Sequence, residues 1–166
     1  AAPVEQAVEA LSLLLHAIVH EDPGVTFIDP FTLDDARAFW RGDVLQAVGS
    51  GRRRVLLARA RGEIVGTVQL QLAAPPNQRH RADVAKLLVH PSCRQRGIGR
   101  ALMMAIEPVA RSSGRTLLTL DTWTGRAAES LYGSLGYVTV GVIPGFARAS
   151  ITTALLPATI MYKQLA

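Results

Sequence analysis

The spacing of apolar positions changes several times along the chain, and each change marks an expected element. Val4, Ala7, Val8, Leu11, Leu14, Leu15 and Ile18 recur at three- and four-residue intervals, which predicts a helix over 4–20. Asp22-Pro23-Gly24 supplies its stop. A loop with Phe27, Pro30 and Phe31 follows. Thr32 then stands where a cap belongs, and Ala36, Phe39, Trp40, Val44 and Leu45 give a second helix ending near Gly49. β-rich runs over 54–61 and 63–73 flank Arg61-Gly62, an antiparallel hairpin signal, and Pro75-Pro76-Asn77 breaks the second run. A strand over 83–90 leads through a loop into a helix over 97–113, closed by Gly114. A strand over 116–122, a short helix over 127–135 and a strand over 137–143 come next. A long segment with Pro144-Gly145 and Pro157 precedes a last strand over 158–163. This order predicts an α/β fold, one mixed sheet with helices on both faces.

Length and composition narrow that picture. The 166 residues fit a single domain spanning 1–166, long enough to bury a core. With 49% hydrophobic and 19% charged residues the chain is not disordered, and with only 5% aromatics its core must be mostly aliphatic. No apolar run reaches membrane-span length; the longest, 11–19, is interrupted by Ser12 and His16. Ala1-Ala2-Pro3 opens without a basic segment leading an apolar stretch, so no secretory leader is expected there. A single cysteine, Cys93, excludes an internal disulfide, and a cytoplasmic setting is expected. The net charge of +5 is carried almost wholly by arginine, Lys86 and Lys163 being the only lysines. Arginine suits planar, bidentate contact with phosphate, so an anionic ligand or a nucleic acid enters as a candidate.

The stretch 84–103 carries the chemistry. A strand feeds a basic, glycine-bearing turn, Arg94-Gln95-Arg96-Gly97-Ile98-Gly99-Arg100, which opens a helix. Amides at a helix start lack partners and carry partial positive charge. Gly97 and Gly99 admit a phosphate to the main chain, and Arg94, Arg96 and Arg100 surround it with charge. A pyrophosphate site is the natural reading, against the plain alternative of a solvated, capped helix. A dinucleotide-binding turn is disfavoured: a leucine, Leu102, stands where a third small residue belongs, and seven residues, 90–96, separate strand from glycine.

Arg94-Gln95-Arg96-Gly97-Ile98-Gly99, placed after Leu88-Val89-His90-Pro91, resembles the Q/R-x-x-G-x-G/A acyl-CoA signature of the GNAT superfamily of N-acetyltransferases. Leu131-Tyr132-Gly133-Ser134-Leu135-Gly136-Tyr137 is similar to that family's L-Y-x-x-x-G-F/Y element, at the spacing of a helix, a strand and a second helix. Within the family, Lys86-Leu87-Leu88-Val89, Leu120-Asp121-Thr122 and Pro144-Gly145 look most like the tabtoxin-resistance type of toxin or antibiotic acetyltransferase.

The resemblance implies the GNAT fold, with two parallel strands, 83–90 and 116–122, splayed apart around the pantetheine arm of acetyl-CoA. It implies main-chain contacts from Leu87, Leu88 and Val89, one N–H near Leu88 polarising the thioester carbonyl. The diphosphate would sit on the amides of Arg96, Gly97, Ile98 and Gly99 and on Arg100, with Arg94 and Gln95 also binding the cofactor. Tyr132 matches the tyrosine beside the CoA sulfur and is the expected general acid. Asp83 and Asp121, the only acids on the two strands, are the expected bases, with Glu129 behind them. The implied reaction is direct acetyl transfer, in a ternary complex, to a primary amine of a small molecule. A protein N-terminus or lysine is the alternative acceptor, and a non-catalytic acyl-CoA-binding module the alternative class. Homodimers are common in the family.

Two features depart from the pattern. Gly125 stands where many relatives have asparagine, and no first strand is read ahead of Val4. Elsewhere the signals are weak. His16 and His20 have zinc-like spacing without a third ligand, so no metal is expected. Arg52-Arg53-Arg54 reads as a solvated turn, so no nucleic-acid partner is expected. Cys93 has no role in direct transfer. Phe27, Phe31, Trp123 and Phe146 either wall an acceptor pocket or simply pack.

Overall fold

The computed structural model describes residues 2–21 and 26–165. The first helical pattern forms two pieces, α1 (Ala2–Glu5) and α2 (Val8–Glu21), because Ala7 N–H closes a tight turn onto the Val4 carbonyl at 3.1 Å. The expected stop at Asp22-Pro23-Gly24 lies outside the described residues. Thr32 caps α3 (Leu33–Phe39) as its position suggests: its hydroxyl accepts from Asp35 N–H at 3.1 Å, and the Asp35 carboxylate accepts from Thr32 N–H at 2.8 Å. A π-helical turn, Trp40–Val44, continues into α4 (Leu45–Gly49) and buries Trp40 and Val44.

Six strands form one mixed sheet: β1 (Arg53–Ala60), β2 (Glu63–Gln71), β3 (Arg81–Val89), β4 (Leu117–Trp123), β5 (Val138–Arg148) and β6 (Leu155–Gln164), in the order β1-β2-β3-β4-β6-β5. The β1–β2 hairpin turns on Arg61 and Gly62, both with positive φ, as a two-residue connection between twisted strands requires. Among the described residues only β3 and β4 are parallel neighbours, and every other pairing is antiparallel. The helices α5 (Ile98–Ser112) and α6 (Ala127–Ser134) connect β3 to β4 and β4 to β5.

Two apolar cores flank the sheet. On one side Val68, Leu70, Val84, Leu118 and Leu120 meet Leu102, Met103 and Ile106 of α5 and Tyr132 of α6. On the other, Leu11, Leu15 and Ile18 of α2 pack with Phe31, Ala36, Trp40, Val44 and Leu88. The expected mixed sheet covered on both faces is therefore present.

The last two strands are longer than the alternating pattern predicts, running through both prolines of the expected loop. Their register shifts between Ile143 and Ala147, and Pro144, Gly145 and Pro157 all fall within that irregular stretch. No ladder hydrogen bond is needed from a proline nitrogen there, so the sheet tolerates both prolines.

Candidate active site

The parallel ladder between β3 and β4 has three pairs, Arg81 with Leu117, Ala82 with Leu118 and Asp83 with Thr119. Beyond Asp83 the strands part. β3 continues to Val89 against β2 alone, and β4 to Trp123 against β6 alone, which leaves two strand edges facing a gap. A cleft of about 740 Å³ occupies it, lined by β3 from Val84 to Val89, by Asp121 to Trp123, and by the first turns of α5 and α6.

A bulge shapes the β3 wall. Thr67 opposes Leu88 while Gln69 opposes Ala85, so β3 spends one more residue than β2 over this stretch. Lys86 takes the left-handed conformation, φ 52°, that absorbs it. Its ammonium donates to the Thr26 hydroxyl at 2.5 Å and lies 5.3 Å from the centroid of the Phe27 ring. Burial lowers the Lys86 pKa from the usual lysine range, and the charge of Asp121 partly opposes that shift.

The basic turn closes one end of the cleft. Gln95 (φ 60°) and Gly97 (φ 79°) turn the chain into α5. Among the described residues, no backbone carbonyl accepts from the amides of residues 95–100; the first such bond in this helix is Ala101 N–H to the Gly97 carbonyl. These are the unpaired donors of a helix start, opening on the cleft beside the side chains of Arg94 and Arg100. Gly99 is small because α6 passes close: a Cβ there would stand 3.3 Å from Leu131 Cδ2.

Tyr132 projects from α6 and lines the cleft wall while packed in the core, with its ring centroid 5.8 Å from that of Tyr137. Burial first, and the charge of Asp121 second, push its pKa up to about 12, so the phenol keeps its proton at neutral pH. Asp121 lines the same cleft, and its side chain makes no hydrogen bond or ion pair among the described residues.

The cleft thus brings together Leu87, Leu88, Val89, Arg94, Gln95, Gly97, Ile98, Gly99, Arg100, Asp121 and Tyr132. Arg96 belongs to the same turn with its side chain exposed. Asp83 is placed elsewhere: it does not line the cleft, and its carboxylate accepts from Arg81 at 2.6 Å and from the Thr119 hydroxyl. Glu129 is also engaged, accepting from Gly125 N–H at 2.6 Å and from the Thr159 hydroxyl at 3.0 Å. Of the four loop aromatics, Trp123 lines the cleft under the stacked guanidinium of Arg126; Phe31 is core, Phe27 lies beneath Lys86, and Phe146 is on exposed β5. Thr26, Ile18 and Arg126 line the cleft without having been singled out by the sequence, and Lys86 lines it though the sequence named it only as a rare lysine and within the Lys86-Leu87-Leu88-Val89 resemblance.

Known proteins resemble this chain in both fold and sequence. The fold matches a ribosomal-protein-alanine N-acetyltransferase from Brucella melitensis with a TM-score of 0.83, at 23% identity over 97% of this chain and 96% of that one. It matches yncA of Salmonella typhimurium, whose structure carries acetyl-CoA as its cofactor, with a TM-score of 0.80, at 20% identity over 98% and 90%. In sequence, 100 residues are 31% identical to an uncharacterized N-acetyltransferase from the hisH-hisA intergenic region of Azospirillum brasilense, covering 59% of this chain and 57% of that protein. The family model of the GNAT acetyltransferase domain matches residues 51–139, from the first strand past the tyrosine helix, and with more than half of its length so matched the chain belongs to that family.

Proposed function

We propose that this chain is a cytoplasmic N-acetyltransferase that moves the acetyl group of acetyl-CoA to a primary amine of a small molecule, by direct attack in a ternary complex. The observation that carries the reading is one cleft, opened by the parting of β3 and β4, with unpaired amides 95–100 at one end and Tyr132 in its wall. These residues fit a CoA thioester. The amides and Arg94, Arg96 and Arg100 suit its diphosphate, and the open edge of β3 at Leu87, Leu88 and Val89 suits its amide-bearing arm.

Bound there, acetyl-CoA supplies an acyl group activated for attack by nitrogen. Asp121 takes the proton from the acceptor ammonium, directly or through water, its side chain having no partner among the described residues. The main-chain N–H near Leu88 polarises the thioester carbonyl. Tyr132 gives its proton to the departing sulfur, a role suited to a phenol that burial keeps protonated. The base is assigned to Asp121 rather than Asp83 because the Asp83 carboxylate is engaged outside the cleft.

The small-molecule acceptor rests on the likeness of Lys86-Leu87-Leu88-Val89, Leu120-Asp121-Thr122 and Pro144-Gly145 to the tabtoxin-resistance type, and resistance to a toxin or antibiotic is the corresponding role. Calorimetry tests the cosubstrate, with NADH as control and Arg96→Glu plus Gly99→Glu as the disabled variant. Acetyl-CoA binding that the variant loses is expected. No binding, or a preference for NADH, overturns the reading. Turnover with a peptide amine and none with small amines would move the acceptor to protein.

A further inference from the structure

The basic turn and the open edge of β3 account for the CoA half of the cleft. The remainder is lined by Ile18, Thr26, Lys86, Asp121, Trp123 and Arg126, two cations and one carboxylate, with the Arg126 guanidinium stacked on the Trp123 ring. We propose that the acceptor carries a carboxylate beside its amine, as an amino acid does, with Lys86 holding the carboxylate and Asp121 facing the amine. This rests on the acetyl-transfer reading and names the substrate class of that site.

Lys86 occupies its position at a cost. A left-handed φ of 52° is one that glycine or asparagine adopts more readily than lysine. The bulge aims the side chain out of the β3 alternation and into the cleft wall, where Thr26 and Phe27 hold it. Neither is a counter-ion: one is a neutral hydroxyl, the other a ring face. An ammonium has three donors, and among the described residues only one is used. Desolvation disfavours its charge, so an anion brought to it gains more than it would at an exposed lysine.

Across the gap, the Asp121 side chain has neither hydrogen bond nor ion pair among the described residues, although its charge is felt at Lys86. A purely structural pair would close into a salt bridge; this one stands apart with the cleft between. Such an arrangement complements a zwitterion. A simple alkylammonium would meet repulsion from Lys86 that its own carboxylate turns into attraction.

The test uses the full chain with saturating acetyl-CoA, following CoA release with the twenty standard α-amino acids, their carboxamides and their decarboxylated amines. Turnover favouring the acids over their carboxamides by about 10- to 100-fold in kcat/KM is expected, the worth of one charged hydrogen bond. Lys86→Met should collapse that ratio towards one, and Lys86→Arg should restore it. Both variants keep an ordinary side chain at the same φ, so neither adds backbone strain, and thermal melts confirm folding. Turnover confined to amines lacking a carboxylate, no turnover with any acid, or a ratio that Lys86→Met leaves unchanged overturns the proposal. Loss of acetyl-CoA binding in the wild-type protein would instead mark failure of the acetyl-transfer reading.

Discussion

Asp83 of β3 and Thr119 of β4 are the last pair of the parallel ladder, and the Thr119 hydroxyl donates to the Asp83 carboxylate at that point. Arg81 Nη1 donates to the same oxygen at 2.6 Å. One residue further on the strands part and the cleft begins, so this cluster fastens the closed end of the gap. Asp83→Ala should therefore destabilise the fold by about 1–2 kcal/mol, the scale of partly exposed charged hydrogen bonds, with kcat reduced far less than by a change at Asp121. Asp121→Asn should do the reverse, leaving the melting temperature near wild type and lowering kcat by about 100-fold or more. Melting curves and steady-state kinetics of the two variants check both. If Asp83→Ala abolished turnover at an unchanged melting temperature, Asp83 would be the base.

Tyr132 leads to a prediction about pH. In the proposed reaction its phenol is the protonated, donating form, and burial, reinforced by the charge of Asp121, moves its ionisation from the usual tyrosine value of 10 up to about 12. Raising pH removes a needed proton, so any rate loss from this group appears only as pH climbs towards 12 and not in the neutral range. Tyr132→Phe should lower kcat by about 100-fold or more while acetyl-CoA still binds. Single-turnover rates from pH 6 to 11, beside calorimetry of the variant, check this; unchanged turnover would remove Tyr132 from the chemistry.

Much of the site was legible because its signals are local. Amides 95–100 need only a strand, glycines and a helix start, all contiguous in the chain, and the Arg61-Gly62 hairpin is equally local. The remainder depends on partners distant in sequence. Asp83 reads as an available carboxylate until Thr119, 36 residues along, is seen to hold it. The Lys86 bulge has no glycine to announce it, because the conformation is imposed by the register of β2 against β3 rather than by residue preference. The prolines at 144 and 157 read as a loop until the irregular β5–β6 register shows where they are absorbed.

Gly66 on β2 fixes how closely α5 approaches the cleft strand. A Cβ there would stand 2.9 Å from the Leu88 carbonyl oxygen and 3.2 Å from both Ile98 Cγ2 and Leu102 Cδ1. The first neighbour is backbone, so β3 itself must move. Gly66→Ala should cost about 1–3 kcal/mol as overpacking, lowering the melting temperature by roughly 2–10 °C. It should also weaken acetyl-CoA binding, since Leu88 and Ile98 both line the cleft. A calorimetric titration with a melt separates the two effects, and a variant that melts and binds as wild type refutes the argument.

The outer edge of the sheet bears on assembly. β5 is the terminal strand, and all eleven of its residues are exposed. Val138, Val140 and Val142 stand 51%, 67% and 51% accessible, and Ile143 and Phe146 add to the apolar edge. No charged residue interrupts the strand before Arg148. Edges of monomeric sheets are usually protected by charge, proline or a bulge placed to prevent pairing; here the ladder to β6 is irregular between Thr139 and Gly141 and again between Ile143 and Ala147, but charge is absent until Arg148. A second copy offers the same unpaired edge in the antiparallel sense, so one contact satisfies both chains about a two-fold axis. The expected outcome is a dimer in sedimentation equilibrium at micromolar concentration, converted to monomer by Val140→Lys without loss of helix or strand signal. A wild-type protein that sediments as a monomer would show that this edge is not a self-association surface.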